Sequence, residues 1–77
     1  MVKVKFYGKL RHIFGEEMEI KGISTVGELI NALEKKSEEV KKIKEHLLFS
    51  INGRQVKSGE SIKEGEEVAV FLPPTGG

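Results

Sequence analysis

The sequence predicts an α+β fold, a mixed sheet with one main helix packed on one face and a short second helix. Three observations predict it. Short segments near both ends and past the middle alternate apolar with polar residues, or run apolar between turn residues, as strands do. The segment after Thr25 instead repeats its apolar residues at helical spacing. The 77 residues hold no cysteine, so packing or partners must stabilise a chain that buries only about 60–65% of its unfolded surface.

Residues 2–7 alternate strictly, which places Val2, Val4 and Phe6 on the core face and Lys3, Lys5 and Tyr7 outward. Gly8 ends this strand. Residues 9–14 read as a short connection anchored by Leu10, Ile13 and Phe14 and closed by Gly15. Residues 17–20 alternate again and suit a second strand, hairpin-paired with the first. Thr25 with Glu28 three residues on makes a capping box, and Val26, Leu29, Ile30 and Leu33 follow as one apolar stripe. Gly27 is a mild cost in the first turn. A shorter, highly charged helix restarts over residues 37–46, with Val40 and Ile43 inward and its Lys/Glu run solvated.

Residues 47–51 form the third strand, and Asn52-Gly53 after it signals a type I′ hairpin, which needs positive φ at both positions. Residues 54–56 are then a short fourth strand. A turn-rich stretch follows, with Ile62 as its lone anchor. Residues 67–72 are the most apolar strand, expected at the centre of the sheet and stopped by Pro73 and Pro74. The order β-β-α-(α)-β-β-β sets the first strand parallel to the last, joined by a right-handed crossover around the helix. No repeat or composition shift divides the chain. Residues 1–72 are one domain, and residues 73–77 a flexible tail.

Charge and composition exclude several functions. Thirteen Lys and Arg against twelve Glu leave a net charge of +1, which argues against a nucleic-acid or membrane-surface partner. The charged, alternating start is no signal peptide, and no apolar stretch reaches the length of a membrane span. Without cysteine there is no disulfide, thiolate nucleophile or Cys-ligated metal, and the composition fits a reducing cytoplasm. The absence of Asp and the Lys-rich bases hint at a thermophilic source. His12 and His46 lie far apart in sequence and read as surface histidines rather than metal ligands or general bases. Thr25 is explained as a helix cap, Ser24 has no triad around it, and Glu16-Glu17 and Glu66-Glu67 read as solvated charge.

What stands out is the end, Pro73-Pro74-Thr75-Gly76-Gly77. Two terminal glycines cannot dock by packing, so the tail is either a frayed end or a device that presents the Gly77 carboxylate. The element pattern resembles the β-grasp, or ubiquitin-like, fold. Residues 71–77, Phe-Leu-Pro-Pro-Thr-Gly-Gly, are similar to the tail of the MoaD/ThiS sulfur-carrier family, and most like the MoaD branch, the small subunits of molybdopterin synthase. Lys63-Glu64-Gly65-Glu66-Glu67-Val68 resembles that family's turn into its last strand. Tyr7-Gly8-Lys9-Leu10-Arg11 and Ile51-Asn52-Gly53 resemble its first-strand exit and central hairpin. The tail is one residue shorter between Pro-Pro and Gly-Gly than the family's usual pattern.

The resemblance implies a reactive C-terminus. Gly77, with Gly76 before it, would be adenylated by a separate activating enzyme of the MoaB/MoeB/ThiF kind, which supplies ATP and magnesium. A sulfurtransferase would then provide sulfur for a thiocarboxylate, and the large catalytic subunit of molybdopterin synthase would receive it. This chain has no phosphate loop of the Gly-x-x-x-x-Gly-Lys type, so it is expected to bind no cofactor and to be no catalyst alone. The physical logic of the tail agrees. From Pro73 to Gly77 the extended reach is about 16 Å at roughly 3.3 Å per residue, and two prolines stiffen the stalk. Phe71, Leu72, Pro73, Pro74 and Thr75 are the candidate partner-binding residues. Phe71 and Leu72 are adjacent in a strand, so one of them points away from the helix-covered face. Tyr7 and Leu48 share that outward parity, and Arg11 and Arg54 are candidates to meet partner acids. Two alternatives stay open: a ubiquitin-like modifier joined to lysines through Gly77, or a ThiS-like carrier for thiazole synthesis. A plain β-grasp interaction or RNA-binding module would show a clustered basic face with interleaved aromatics, which this sequence lacks.

Overall fold

Alternation at the start of the chain becomes β1 (Val2–Phe6), in a computed structural model that describes residues 1–73. Val2, Val4 and Phe6 are buried, with Lys3 and Lys5 half-buried on the other face. β1 pairs antiparallel with β2 (Glu17–Ile20), Val4 opposite Met18. On its other side β1 pairs in parallel with β5 (Glu67–Phe71), Phe6 opposite Val70. β3 (Leu48–Ile51) lies antiparallel to β5, and β4 (Arg54–Val56) completes the order β2-β1-β5-β3-β4. The most apolar strand is therefore central, and its Val68 and Val70 are fully buried. Asn52 and Gly53 turn β3 into β4 with φ of 53° and 78°, the left-handed pair the dipeptide predicts.

One helix covers one face. α2 (Val26–Lys36) starts at Thr25, whose hydroxyl accepts from the Glu28 N–H at 3.1 Å while the Glu28 carboxylate accepts from the Thr25 N–H at 3.2 Å. Val26, Leu29 and Leu33 are buried as expected, but Ile30 sits at the margin of the stripe and is half-buried. Gly27 has a role its sequence context did not reveal. Its N–H donates to the Ser58 carbonyl at 2.8 Å, and the Val26 N–H donates to Glu60 at 3.0 Å. Two donors that a helix start normally leaves unpaired are thus met by the chain entering β5. A Cβ at position 27 would lie 3.3 Å from that Ser58 oxygen, so the glycine permits the approach.

Three sequence expectations need correction. Residues 9–14 are not an irregular connection: α1 (Leu10–Phe14) is a single helical turn. Its apolar residues at 10, 13 and 14 carry helical spacing, Leu10 is buried, and Phe14 stacks on Phe6 at 4.8 Å. The charged helix over 37–46 is two pieces, α3 (Glu39–Ile43) and a 3₁₀ turn (Lys44–His46), because only Val40 is fully buried to hold it in place. The third strand begins at Leu48, after Leu47, and the last ends at Phe71, so Leu72 leaves the ladder. Ile62 is the buried anchor of its loop, as predicted.

Candidate functional site

The chain leaves the sheet at the end of β5, and the residues there divide between the two faces. Val70, opposite Phe6 and Phe49, points into the core. Phe71 therefore points to the uncovered face, where it is 36% exposed. Leu72 packs half-buried against the core cluster on the helix side, and Pro73 is also half-buried. This answers the choice the strand parity left open: Phe71 is the outward residue and Leu72 the inward one.

Phe71 does not stand alone. Its cross-strand partner on β3 is Leu48, 38% exposed, and on the β1 side Tyr7 stacks on it with ring centroids 4.8 Å apart and planes 14° apart. The Tyr7 N–H donates to the Val70 carbonyl at 3.2 Å, which continues the β1–β5 ladder and fixes that ring beside Phe71. Arg11, at the start of α1, lays its guanidinium 5.7 Å from the Tyr7 ring centroid while its Nε donates to the Phe6 carbonyl at 3.2 Å. Ala69 and Ser50, one step along the same face and directly opposite each other, are small and leave the aromatic pair standing above its surroundings. The result is an apolar ridge with a cationic edge, placed where the chain departs.

The rest of the open face is different. At the far end of the strands Lys3 and Glu17 approach to 3.7 Å, and Lys5 and Glu67 to 3.9 Å. Such exposed pairs contribute little stability, and they make that end a solvated surface. Arg54, also a candidate to meet a partner acid, already pairs with Glu60 at 3.0 Å within the chain. Arg11 joins the ridge, and it stands four residues after Tyr7, just beyond the turn at Gly8.

His12 and His46, read separately from sequence, come to one groove on the helix side of the exit, with Leu72 and Pro73. Among the described residues, no group of three His, Cys, Asp or Glu side chains is arranged to hold a metal ion. Also among the described residues, no helix is long and apolar enough to cross a membrane. Among the described residues, the carboxylate held clearly below its ordinary range is Glu28, lowered first by the Ser24 backbone N–H at 2.6 Å and then by the Ser24 hydroxyl at 2.9 Å. It belongs to the helix cap and not to the exit. Pro74, Thr75, Gly76 and Gly77, the tail residues singled out from sequence, lie outside the described residues.

A five-stranded mixed sheet crossed by one helix, with the first strand parallel to the central last one, defines a β-grasp domain of ubiquitin-like architecture. A model of the ThiS family matches residues 4–77. Among solved structures, molybdopterin converting factor subunit 1 of Pyrococcus furiosus, so described, is 31% identical, with a TM-score of 0.75 over 94% of this chain and 95% of that one. The complex of subunits 1 and 2 of the molybdopterin-converting factor from Helicobacter pylori contains a chain 25% identical to this one. There the TM-score is 0.68, over 99% of this chain and 97% of that one. Small archaeal modifier protein 1 of Haloferax volcanii is 23% identical, with a TM-score of 0.72 over 94% of this chain and 95% of that one, and shares the fold. No curated protein sequence matches the chain. The chain belongs to the ThiS/MoaD family of ubiquitin-like sulfur carriers.

Proposed function

We propose that this chain is the sulfur-donating small subunit of a molybdopterin synthase, carrying sulfur as a thiocarboxylate on Gly77. The observation that carries the reading is the pairing of a Gly-Gly end, inside the 4–77 family match, with an apolar ridge at the point where the tail leaves the sheet. A free α-carboxylate is an anion at neutral pH and a poor electrophile, so it must be activated before sulfur can replace oxygen. A separate adenylating enzyme, using ATP and magnesium, converts it to an acyl-adenylate. Attack by hydrosulfide, delivered by the sulfur source, then forms the C–S bond, breaks the C–O bond to AMP and leaves the thiocarboxylate. The thiocarboxylate so made is the sulfur source for the acceptor held by the large subunit.

The chain's own part is to present and to dock. Gly76 and Gly77 have no Cβ, so they pass a narrow channel and let the backbone approach a reacting phosphate closely. Pro73 and Pro74 restrict φ and lower the entropy lost when the tail is captured. Tyr7, Phe71 and Leu48 offer a rigid aromatic and aliphatic surface of the kind that anchors protein interfaces. Residues 1–72 need contribute no reacting group.

Intact mass of the protein isolated from its own host tests the reading. The expected result is a species in which one oxygen of the chain is replaced by sulfur, the change localised to Gly77 by fragmentation. If Gly77 is instead found only in isopeptide linkage to lysines of other proteins, the chain is a modifier and the sulfur reading is lost. Transfer of the sulfur to a molybdopterin precursor, and not to a thiazole precursor, in the presence of the large subunit would distinguish the MoaD role from the ThiS role.

A further inference from the structure

The exit of β5 has a second side. Phe71 and Leu72 are consecutive yet project to opposite faces, so a groove on the helix side flanks the same tail as the aromatic ridge. Its floor is apolar: Ile13 from α1, Ile43 from α3, and Leu72 itself, all half-buried and incompletely covered. Among the described residues, its rim holds Lys9, His12 and His46, all exposed, against one acid, Glu39. Among the described residues, none of those three basic side chains makes a hydrogen bond or ion pair. In a chain whose net charge is only +1, this is a local excess of donors around an apolar floor.

We propose that this groove is a second docking surface, filled by a loop of the activating enzyme that carries an apolar side chain flanked by Asp or Glu. The proposal rests on the activation described above, and it names the partner that every fate of Gly77 requires. The occupant follows from the chemistry. The apolar floor calls for a buried hydrocarbon side chain, and the Lys and imidazole N–H groups of the rim call for carboxylate acceptors. Magnitudes exclude the nucleotide as that acceptor. The tail spans about 16 Å from Pro73 to Gly77, roughly twice the screening length of about 8 Å at physiological ionic strength. Charges at the base of the tail therefore meet the mouth of the partner's channel, not the phosphates at its end. With the ridge gripped on one face and the groove on the other, the tail leaves from between two fixed contacts. That arrangement fixes its direction better than either surface alone.

Calorimetric titration of the full 77-residue chain against the source organism's adenylating enzyme tests this. The variant is Lys9→Glu with His46→Glu, two exposed positions, checked for an unchanged melting temperature. The expected result is a Kd raised roughly tenfold at low salt, with the difference shrinking as salt is added. A control pair, Lys21→Glu with Lys63→Gln, makes the same net charge change outside the groove and should change Kd much less. Amide shifts of the labelled chain should report the groove directly, with Gly8, Ile13 and Ile43 perturbed on binding. Unchanged affinity in the groove variant, equal weakening in the control, or shifts confined to the ridge would each overturn the proposal while leaving the activation reading intact. A wild-type chain that neither binds nor is adenylated overturns both.

Discussion

The two faces of the sheet are built from the same strands and answer to different demands. On the helix-covered face Val2, Val4, Phe6, Phe49, Ile51, Val68 and Val70 are all buried, and α2 seals them with Val26, Leu29 and Leu33. On the open face the alternate residues of those strands are charged pairs at one end and Tyr7, Phe71 and Leu48 at the other. Burial of apolar area stabilises at about 25 cal/mol per Å², so the covered face carries the fold. The ridge, left in water, gains little of this from folding and is free to gain it on docking. On the proposed function, stability and recognition are separated across a single sheet, with adjacent residues of β5 assigned to one or the other.

The separation can be broken from either side. The largest effect is expected at the tail: deleting Gly77 should abolish activation, and Gly77→Ala should weaken it, with thermal unfolding unchanged in both. An adenylation assay with pyrophosphate release reads this, and normal turnover by the deletion variant would remove the C-terminus from the chemistry. Next, Leu29→Ala on the covered face should cost about 2–5 kcal/mol of stability, enough to lower the melting temperature by about 8 °C or more in a domain of this size. Phe71→Ser on the open face should do the reverse. Partner affinity should fall tenfold or more, about 1.4 kcal/mol, with stability changed by less than about 1 kcal/mol. If the two variants exchange these signatures, the division of labour between the faces is wrong.

Smaller effects sharpen the picture at the helix start. Thr25→Ala removes the cap to the Glu28 N–H and should cost about 1 kcal/mol, read by urea denaturation. Glu28 supplies a pH signature with a definite sign. Its carboxylate is held below its ordinary value by Ser24 and Thr25 donors, so the folded state binds its proton less readily than the unfolded chain does. The stabilisation is present above the ordinary carboxylate range and is lost as pH falls through the lowered folded value. The melting-temperature gap between wild type and Glu28→Ala should accordingly be open at pH 7 and close in acid. A gap that widens in acid would contradict the capping geometry.

Much of this was legible in the chain because its determinants are local. Strict alternation set the faces of β1, Thr25 and Glu28 set the start of α2, and Asn52-Gly53 set a turn that few other dipeptides can form. Continuous apolar character placed β5 at the centre. The tail's Gly-Gly end and its prolines are likewise read directly from the residues. Parity limited the outward residue at the exit to Phe71 or Leu72, and no further.

Tertiary structure decided the rest, because the deciding contacts join residues distant in sequence. Whether Phe71 or Leu72 faces outward depends on the register of β5 between β1 and β3, which pins Val70 inward. The stack of Tyr7 on Phe71 brings together the two ends of the chain. Gly27 looked like a weak helix residue until the chain ahead of β5 was found against it. His12 and His46, thirty-four positions apart by number, meet at one groove only because α1 and the 3₁₀ turn pack on the same side of the β5 exit. A one-dimensional pattern encodes which face a residue takes; which residues become neighbours on that face is settled by how the strands and helices pair.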